Sequence, residues 1–228
     1  MDPRDARSVL VVFARRPVAG EVKTRLAASH GPERAAELYA AFVQDLAQRL
    51  RDAPFAVEWA IAPPLGDFAS RFGIAPQRCR EQSGPDLGSR MLDTFVAMRR
   101  RGFDRCAIIG SDLPQLPPAR VGEAFASLAA AKGEADGADL VLGPAADGGY
   151  YLVAMREPHD VFAGIPWSSP VVLDRTLARA KALGLRVRLL APDFDVDTAD
   201  DLERLRELLR SAEARRAMPA TARALSST

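Results

Sequence analysis

Four segments of this chain have the residue types and spacing to handle a phosphorylated substrate. Arg15, Arg16, Lys23 and Arg25 crowd into one short stretch punctuated by Pro17 and Gly20. Carboxylates appear in the other three. Asp112 lies in Gly110-Ser111-Asp112-Leu113-Pro114, and Asp147 in Gly143-Pro144-Ala145-Ala146-Asp147-Gly148-Gly149-Tyr150. Asp195 and Asp197 lie in Phe194-Asp195-Val196-Asp197-Thr198. Backbone N–H groups at a helix start hold anions, and Lys or Arg adds formal charge. Mg2+ (or Mn2+) takes one or two protein carboxylates together with phosphate oxygens. Cations in one segment and carboxylates in the others therefore suit a metal-bound nucleotide. The glycine spacing around Gly20 fits neither the Walker A loop nor the dinucleotide fingerprint. His30 and His159 are the only histidines and stand outside these segments, which argues against a Ser-His-Asp hydrolase or a His-rich zinc site.

The elements that must position these residues alternate between strand and helix patterns. Ser8 to Ala14 is an apolar, β-branched run, as in a strand buried on both faces of a parallel sheet. A helix opens at Gly31-Pro32-Glu33 and shows an apolar face of Leu38, Phe42, Leu46 and Leu50, joined by Tyr39 and Val43. Strands are expected at Phe55 to Ala62, Arg78 to Gln82, Asp104 to Gly110, Asp139 to Pro144 and Arg186 to Leu190. Helices are expected up to Gly73, over Leu87 to Met98, Pro118 to Ala131, Val171 to Leu183 and Ala199 to Leu209. Tyr150 to Met155 follows its predecessor too closely for a parallel crossover and reads as an antiparallel partner. The pattern is α/β with a mostly parallel sheet. In such sheets ligands bind outside the carboxyl ends of the strands, where all four segments fall.

With 228 residues and 48% apolar content, the chain can bury one sizeable core, or two small ones. A single domain is expected over residues 1–210, with 211–228 a fraying tail rich in Ala, Arg, Ser and Thr. A net charge of +1 gives no signal for nucleic acid or a membrane surface as partner. Cys79 and Cys106 lack metal-ligand spacing and read as free thiols. Met1 to Arg7 is polar and no apolar run reaches membrane-spanning length, so a cytoplasmic protein is expected.

Each segment also has a purely structural reading, the cationic one because surface loops are often basic. Asp112 before a proline can initiate a turn, and Asp147-Gly148-Gly149 is good turn chemistry between strands. Thr198 can cap a helix whose first turn carries Asp200 and Asp201.

The motifs Pro17-x-x-Gly20-x-x-Lys23-Thr24-Arg25-Leu26, Gly110-Ser111-Asp112-x-Pro114, Gly143-Pro144-x-x-Asp147-Gly148-Gly149-Tyr150-Tyr151-Leu152 and Asp195-Val196-Asp197-Thr198-x-x-Asp201-Leu202 occur in order along the chain. With them the chain resembles an uncharacterised bacterial family labelled glycosyltransferase-like. That family is related to 2-phospho-lactate guanylyltransferase and to arsenosugar-biosynthesis glycosyltransferases. The resemblance implies the GT-A, or nucleotide-diphospho-sugar transferase, fold: a Rossmann-like three-layer α/β/α sandwich with a mixed, mostly parallel sheet. It implies that Lys23 and Arg25 contact nucleotide phosphates and that Asp112 and Asp197 hold the metal, with Asp195 nearby. Pro114 stands where sugar transferases carry the second Asp of an Asp-x-Asp motif, a feature closer to nucleotidyltransferases.

Gly84, Gly88 and Arg90, in Gln82-Ser83-Gly84-Pro85-Asp86-Leu87-Gly88-Ser89-Arg90, match a family segment near the base or the acceptor. Trp167 and Ser168 are candidates for the acceptor wall, Trp167 equally for a packing anchor. Gly20, Ser111, Gly148 and Gly149 complete the candidate substrate-binding set. Two reactions fit: nucleotidyl transfer from a nucleoside triphosphate to a phosphorylated small molecule, or glycosyl transfer from a nucleotide-sugar, with Asp147 as base. A non-catalytic nucleotide-binding protein is the third reading.

Overall fold

The computed structural model describes residues 7–129 and 137–226. Its centre is β1 (Ser8–Ala14), in which every residue is buried. Side chains alternate along a strand, so Leu10, Val12 and Ala14 enter one core while Val9, Val11 and Phe13 enter the other. That double burial is why the run reads as continuously apolar.

β1 pairs in parallel with β2 (Ala56–Ile61) on one side and β4 (Arg105–Gly110) on the other. β3 (Cys79–Glu81) extends the sheet in parallel beyond β2. β5 (Leu140–Pro144) and β6 (Tyr150–Met155) form the expected antiparallel pair, and β6 also lies antiparallel against β4. β7 (Val187–Leu189) closes the far edge parallel to β5, giving the order β3-β2-β1-β4-β6-β5-β7. The sheet is thus mixed and mostly parallel, as the sequence predicts.

Helices cover both faces. Leu26 of α1 (Thr24–His30), the apolar face of α2 (Pro32–Arg49), Phe68 of α3 (Phe68–Arg71), Val121 and Leu128 of α5 (Pro118–Ala129), and Leu202 and Leu205 of α7 (Ala199–Leu208) fill one core. Met91, Phe95 and Met98 of α4 (Leu87–Arg100) and Ala180 of α6 (Val172–Ala182) fill the other. The expected end of the fifth helix, at Ala131, lies outside the described residues. Cys79 and Cys106 are free thiols. Among the described residues no helix is long and apolar enough to cross a membrane.

The expectation of a fraying tail is corrected. Residues after Leu209 form α8 (Ala212–Ala217) and α9 (Pro219–Ser226), and α9 lies against α2. Asp45, only 1% exposed, accepts the N–H groups of Ala220 (2.9 Å) and Thr221 (2.8 Å), so a neighbouring helix caps the start of α9. Arg49 donates to the Ala217 carbonyl at 2.6 Å, and Arg34 donates to that of Ala224. Small side chains allow this close approach, and their partners sit on α2. Nothing in the tail's own pattern displays that.

Asp45→Ala should therefore lower unfolding stability by about 0.5–2 kcal/mol, the range for a lost helix cap, and speed amide exchange in α9. Unchanged urea denaturation and exchange would show that Asp45 does not hold the tail.

Candidate active site

β1, β4 and β5 all present their carboxyl ends on one side of the sheet, and the site is built there. The chain leaves β1 at Ala14 and makes a loop anchored by the buried Pro17 and Val22. Glu21 N–H donates to the Val18 carbonyl at 3.1 Å, and Gly20 (φ 82°) supplies the left-handed turn. The loop ends at Lys23, a non-glycine residue at φ 50°, ψ 43°, which begins α1. Such conformations cost about 1 kcal/mol or more and persist only where the surroundings enforce them.

The surroundings are electrostatic. The Lys23 side chain is 3% exposed, and its ammonium donates to Asp197 Oδ1 at 2.7 Å while forming a close ion pair with Asp112 Oδ1. Burial alone would disfavour that charge. The Asp112 and Asp197 carboxylates outweigh it and hold the lysine pKa above its ordinary value. Arg25 reaches Asp197 Oδ2 only at 3.9 Å and remains 65% exposed. Arg15 points its side chain to solvent, and the Arg16 stem packs beside Gly66.

Both carboxylates are anchored from behind. The Asp112 carbonyl accepts Val196 N–H at 3.0 Å, which ties the loop after β4 to the segment before α7. Thr198 and Asp201 form a reciprocal capping box, so the capping reading of that segment is correct. The box leaves Asp197 free to meet Lys23, its backbone N–H donating to Asp201 at 3.2 Å. Asp195 sits deeper, and its pKa is pushed up to about 8, first by burial and then by the charge of Asp112; Lys23 offsets this in part.

Tyr39 is the residue of this candidate site that the sequence pattern hides, because it lies on the apolar face of α2. Its hydroxyl accepts Arg15 N–H at 2.9 Å and bonds Ser111 Oγ at 2.7 Å, joining the exits of β1 and β4 beneath the charges. Its ring centroid lies 5.8 Å from the Lys23 ammonium. Burial, followed by the negative charge of Asp112, pushes its pKa up to about 12. A lone hydroxyl on an otherwise apolar helix face was the available signal. Ser111 is buried with its hydroxyl committed to Tyr39, so it supports the site from below rather than facing a ligand.

The remaining candidates gather around the segment Ile165 to Pro170. A Cβ on Gly88 would come within 2.9 Å of the Trp167 ring, and one on Gly148 (φ 90°) within 2.1 Å of the Pro170 carbonyl. The segment is thus packed between the start of α4 and the β5–β6 turn, and Trp167 serves as an anchor, also meeting Phe162. Ser168 (φ 63°) is exposed at the crest. Arg90 donates to the Gly84 carbonyl at 3.0 Å and to Gln82 at 3.3 Å, fixing its own loop. Asp147 is exposed, and its Oδ1 accepts Gly149 N–H at 2.9 Å, the turn expected of Asp-Gly-Gly. Its charge nevertheless reaches Asp195.

Among the described residues no set of three or more His, Cys, Asp or Glu side chains is arranged to hold a metal ion. The donor chemistry still fits Mg2+ or Mn2+. Asp112 and Asp197 converge on a single cation position and supply the pair of carboxylates that such a site needs. A hard cation completes its shell with water and phosphate.

These features define the fold of the nucleotide-diphospho-sugar transferases. A structure from Desulfovibrio desulfuricans G20, assigned by description to that class, is 33% identical over 97% of this chain and 94% of its own, with a TM-score of 0.86. The chain belongs to the family described as "Uncharacterized protein conserved in bacteria (DUF2064)", whose profile matches residues 43–169. A cytidylyltransferase from Leptospira borgpetersenii serovar Hardjo-bovis shares the fold at 15% identity, covering 90% of this chain and 87% of its own, with a TM-score of 0.58. The inositol-1-phosphate CTP transferase from T. maritima does so at 14%, covering 94% and 96%, with a TM-score of 0.52. No curated protein gives a significant match.

The Asp195 shift has a defined sign. Its folded pKa lies above the unfolded value of 3.8, so the stability it contributes is complete below 3.8 and is lost as pH rises toward about 8. Asp195→Asn should flatten the decline in urea-denaturation stability across that window. An equally steep decline in the variant would remove Asp195 as its source.

Proposed function

We propose that the protein is a metal-dependent, nucleotide-utilising transferase that moves a nucleotidyl group from a nucleoside triphosphate to a phosphorylated small molecule. The observation that carries this reading is the convergence of Lys23 with Asp112 and Asp197 beside the further cations of the β1–α1 loop. Such an arrangement suits a polyphosphate with its divalent cation. Asp112 and Asp197 would hold the metal, which supplies charge stabilisation as negative charge grows on the phosphates. Lys23, Arg25 and the loop backbone around Gly20 would bind and orient the phosphate oxygens. The segment of Trp167 and Ser168 would wall the acceptor, held by Gly88 and Gly148.

The acceptor's chemistry follows from what the site offers as a base. An ionised phosphate attacks without one, whereas a hydroxyl benefits from a carboxylate. Asp147 already accepts a hydrogen bond within its own turn and stands in solvent, a weak position for a general base. Glycosyl transfer remains the second reading, favoured by the description of the 33% identical relative. Mass spectrometry of reactions with Mg2+, nucleoside triphosphates or nucleotide-sugars, and pooled acceptors separates the two. Pyrophosphate with a nucleotidylated acceptor supports the proposal, whereas a nucleoside diphosphate with a glycosylated acceptor replaces it with the second reading. Nucleotide binding without turnover against the full acceptor pool would favour a non-catalytic protein.

Asp112→Asn should abolish metal-dependent turnover while leaving the fold intact by circular dichroism. Lys23→Ala should weaken nucleotide binding by about 1–3 kcal/mol in calorimetry, the range of one charge-assisted hydrogen bond. Full activity in the first variant or unchanged affinity in the second would dismantle the assignment.

A further inference from the structure

We propose that Lys23 is the resident counter-ion of the divalent-cation position, so that the cation is admitted together with a polyphosphate and is refused alone. The proposal rests on the reading of Asp112 and Asp197 as metal ligands and adds a role for the lysine that blocks them. Its ammonium occupies the point on which the two carboxylates converge, touching Oδ1 of both. A divalent cation that uses both carboxylates needs that same point, and two cations do not share it.

The geometry also decides which partner moves. Asp112 is tied by its carbonyl to Val196, and Asp197 sits at the edge of the Thr198–Asp201 capping box. Lys23 carries its charge on a flexible four-carbon stem. Displacing it outright would leave a 3% exposed ammonium without its partners, which is costly. A polyphosphate removes the obstacle, because its oxygens accept the lysine while also ligating the entering cation. Arg25, 65% exposed and 3.9 Å from Asp197, is too loosely held to substitute for Lys23 as counter-ion. Metal and polyphosphate thereby favour each other's binding, and such coupling is reciprocal. The ligand this position selects is the cation–polyphosphate complex rather than either part.

Mn2+ alone is the probe, titrated into the full-length protein and followed by the electron paramagnetic resonance signal of free Mn2+. Wild type should bind weakly. Lys23→Met should bind Mn2+ about ten-fold or more tightly, the equivalent of removing one charge-assisted hydrogen bond that competes for the carboxylates. Lys23→Gly gives a second variant that suits the left-handed backbone and also lacks the ammonium, so a folding defect in one does not decide the matter. Adding Asp112→Asn to either should abolish the gain. Equal Mn2+ affinity in wild type and both lysine variants, still sensitive to Asp112→Asn, would overturn the counter-ion role while leaving the metal site standing. No Asp112-dependent binding in any variant, with or without tripolyphosphate, would overturn the metal reading and the proposal with it.

Discussion

A single buried ammonium group organises this protein's site. Lys23 holds Asp112 and Asp197 at one point, and these residues arrive from three distant parts of the chain. Buried charges are tolerated only when they are paired with good geometry, since removing either partner leaves the other stranded. The pairing therefore constrains the elements behind it. β1 must lie beside β4, so that the loops leaving them meet, and the segment before α7 must return to the same edge. Two hydrogen bonds, from Val196 N–H to the Asp112 carbonyl and from Arg15 N–H to the Tyr39 hydroxyl, hold those exits in place.

The other half of the site is set by clearance rather than charge. Gly88 and Gly148 each stand where a methyl group would collide with the Trp167–Pro170 segment. Gly143 does the same beneath the Tyr151 ring, whose hydroxyl donates to the Ala191 carbonyl at 3.0 Å. Glycines that the sequence offers as substrate contacts, Gly88 and Gly148, thus act here at least partly as spacers. They let three loops pack closely enough for Ser168 and Asp147 to stand on the same side of the sheet as the charges. A single added carbon at Gly148 meets backbone rather than a flexible side chain, so the segment cannot yield cheaply.

Most of the fold was legible because β1, β4 and β5 are buried on both faces and the helices between them are amphipathic, patterns that survive in a linear chain. The β5–β6 reversal was legible from connection length alone. The docking of α9 was not, because its cap is Asp45, some 175 positions earlier in sequence. The charged residues of the site were legible by type and by their place at strand ends. Their mutual arrangement was not: Arg25 and Lys23 look equivalent in the motif, yet one is exposed and the other buried between two carboxylates. Tyr39 was hidden for the opposite reason, since a buried ring satisfies the helix pattern whether or not its hydroxyl is used.

The unequal treatment of those two cations shows how the fold divides its tasks. The core on the Tyr39 side takes in Val22 and Leu26, the buried neighbours of Lys23 in sequence, and the two carboxylates hold the ammonium where the left-handed backbone delivers it. At the sheet edge Asp112 and Asp197 are already met by Lys23, while Arg25 stays loosely held in solvent. The buried cation fixes the carboxylates in place, whereas the exposed one remains open to the outside. A second cation brought to this point would have to arrive with negative charge that draws Lys23 aside, since the ammonium already occupies it.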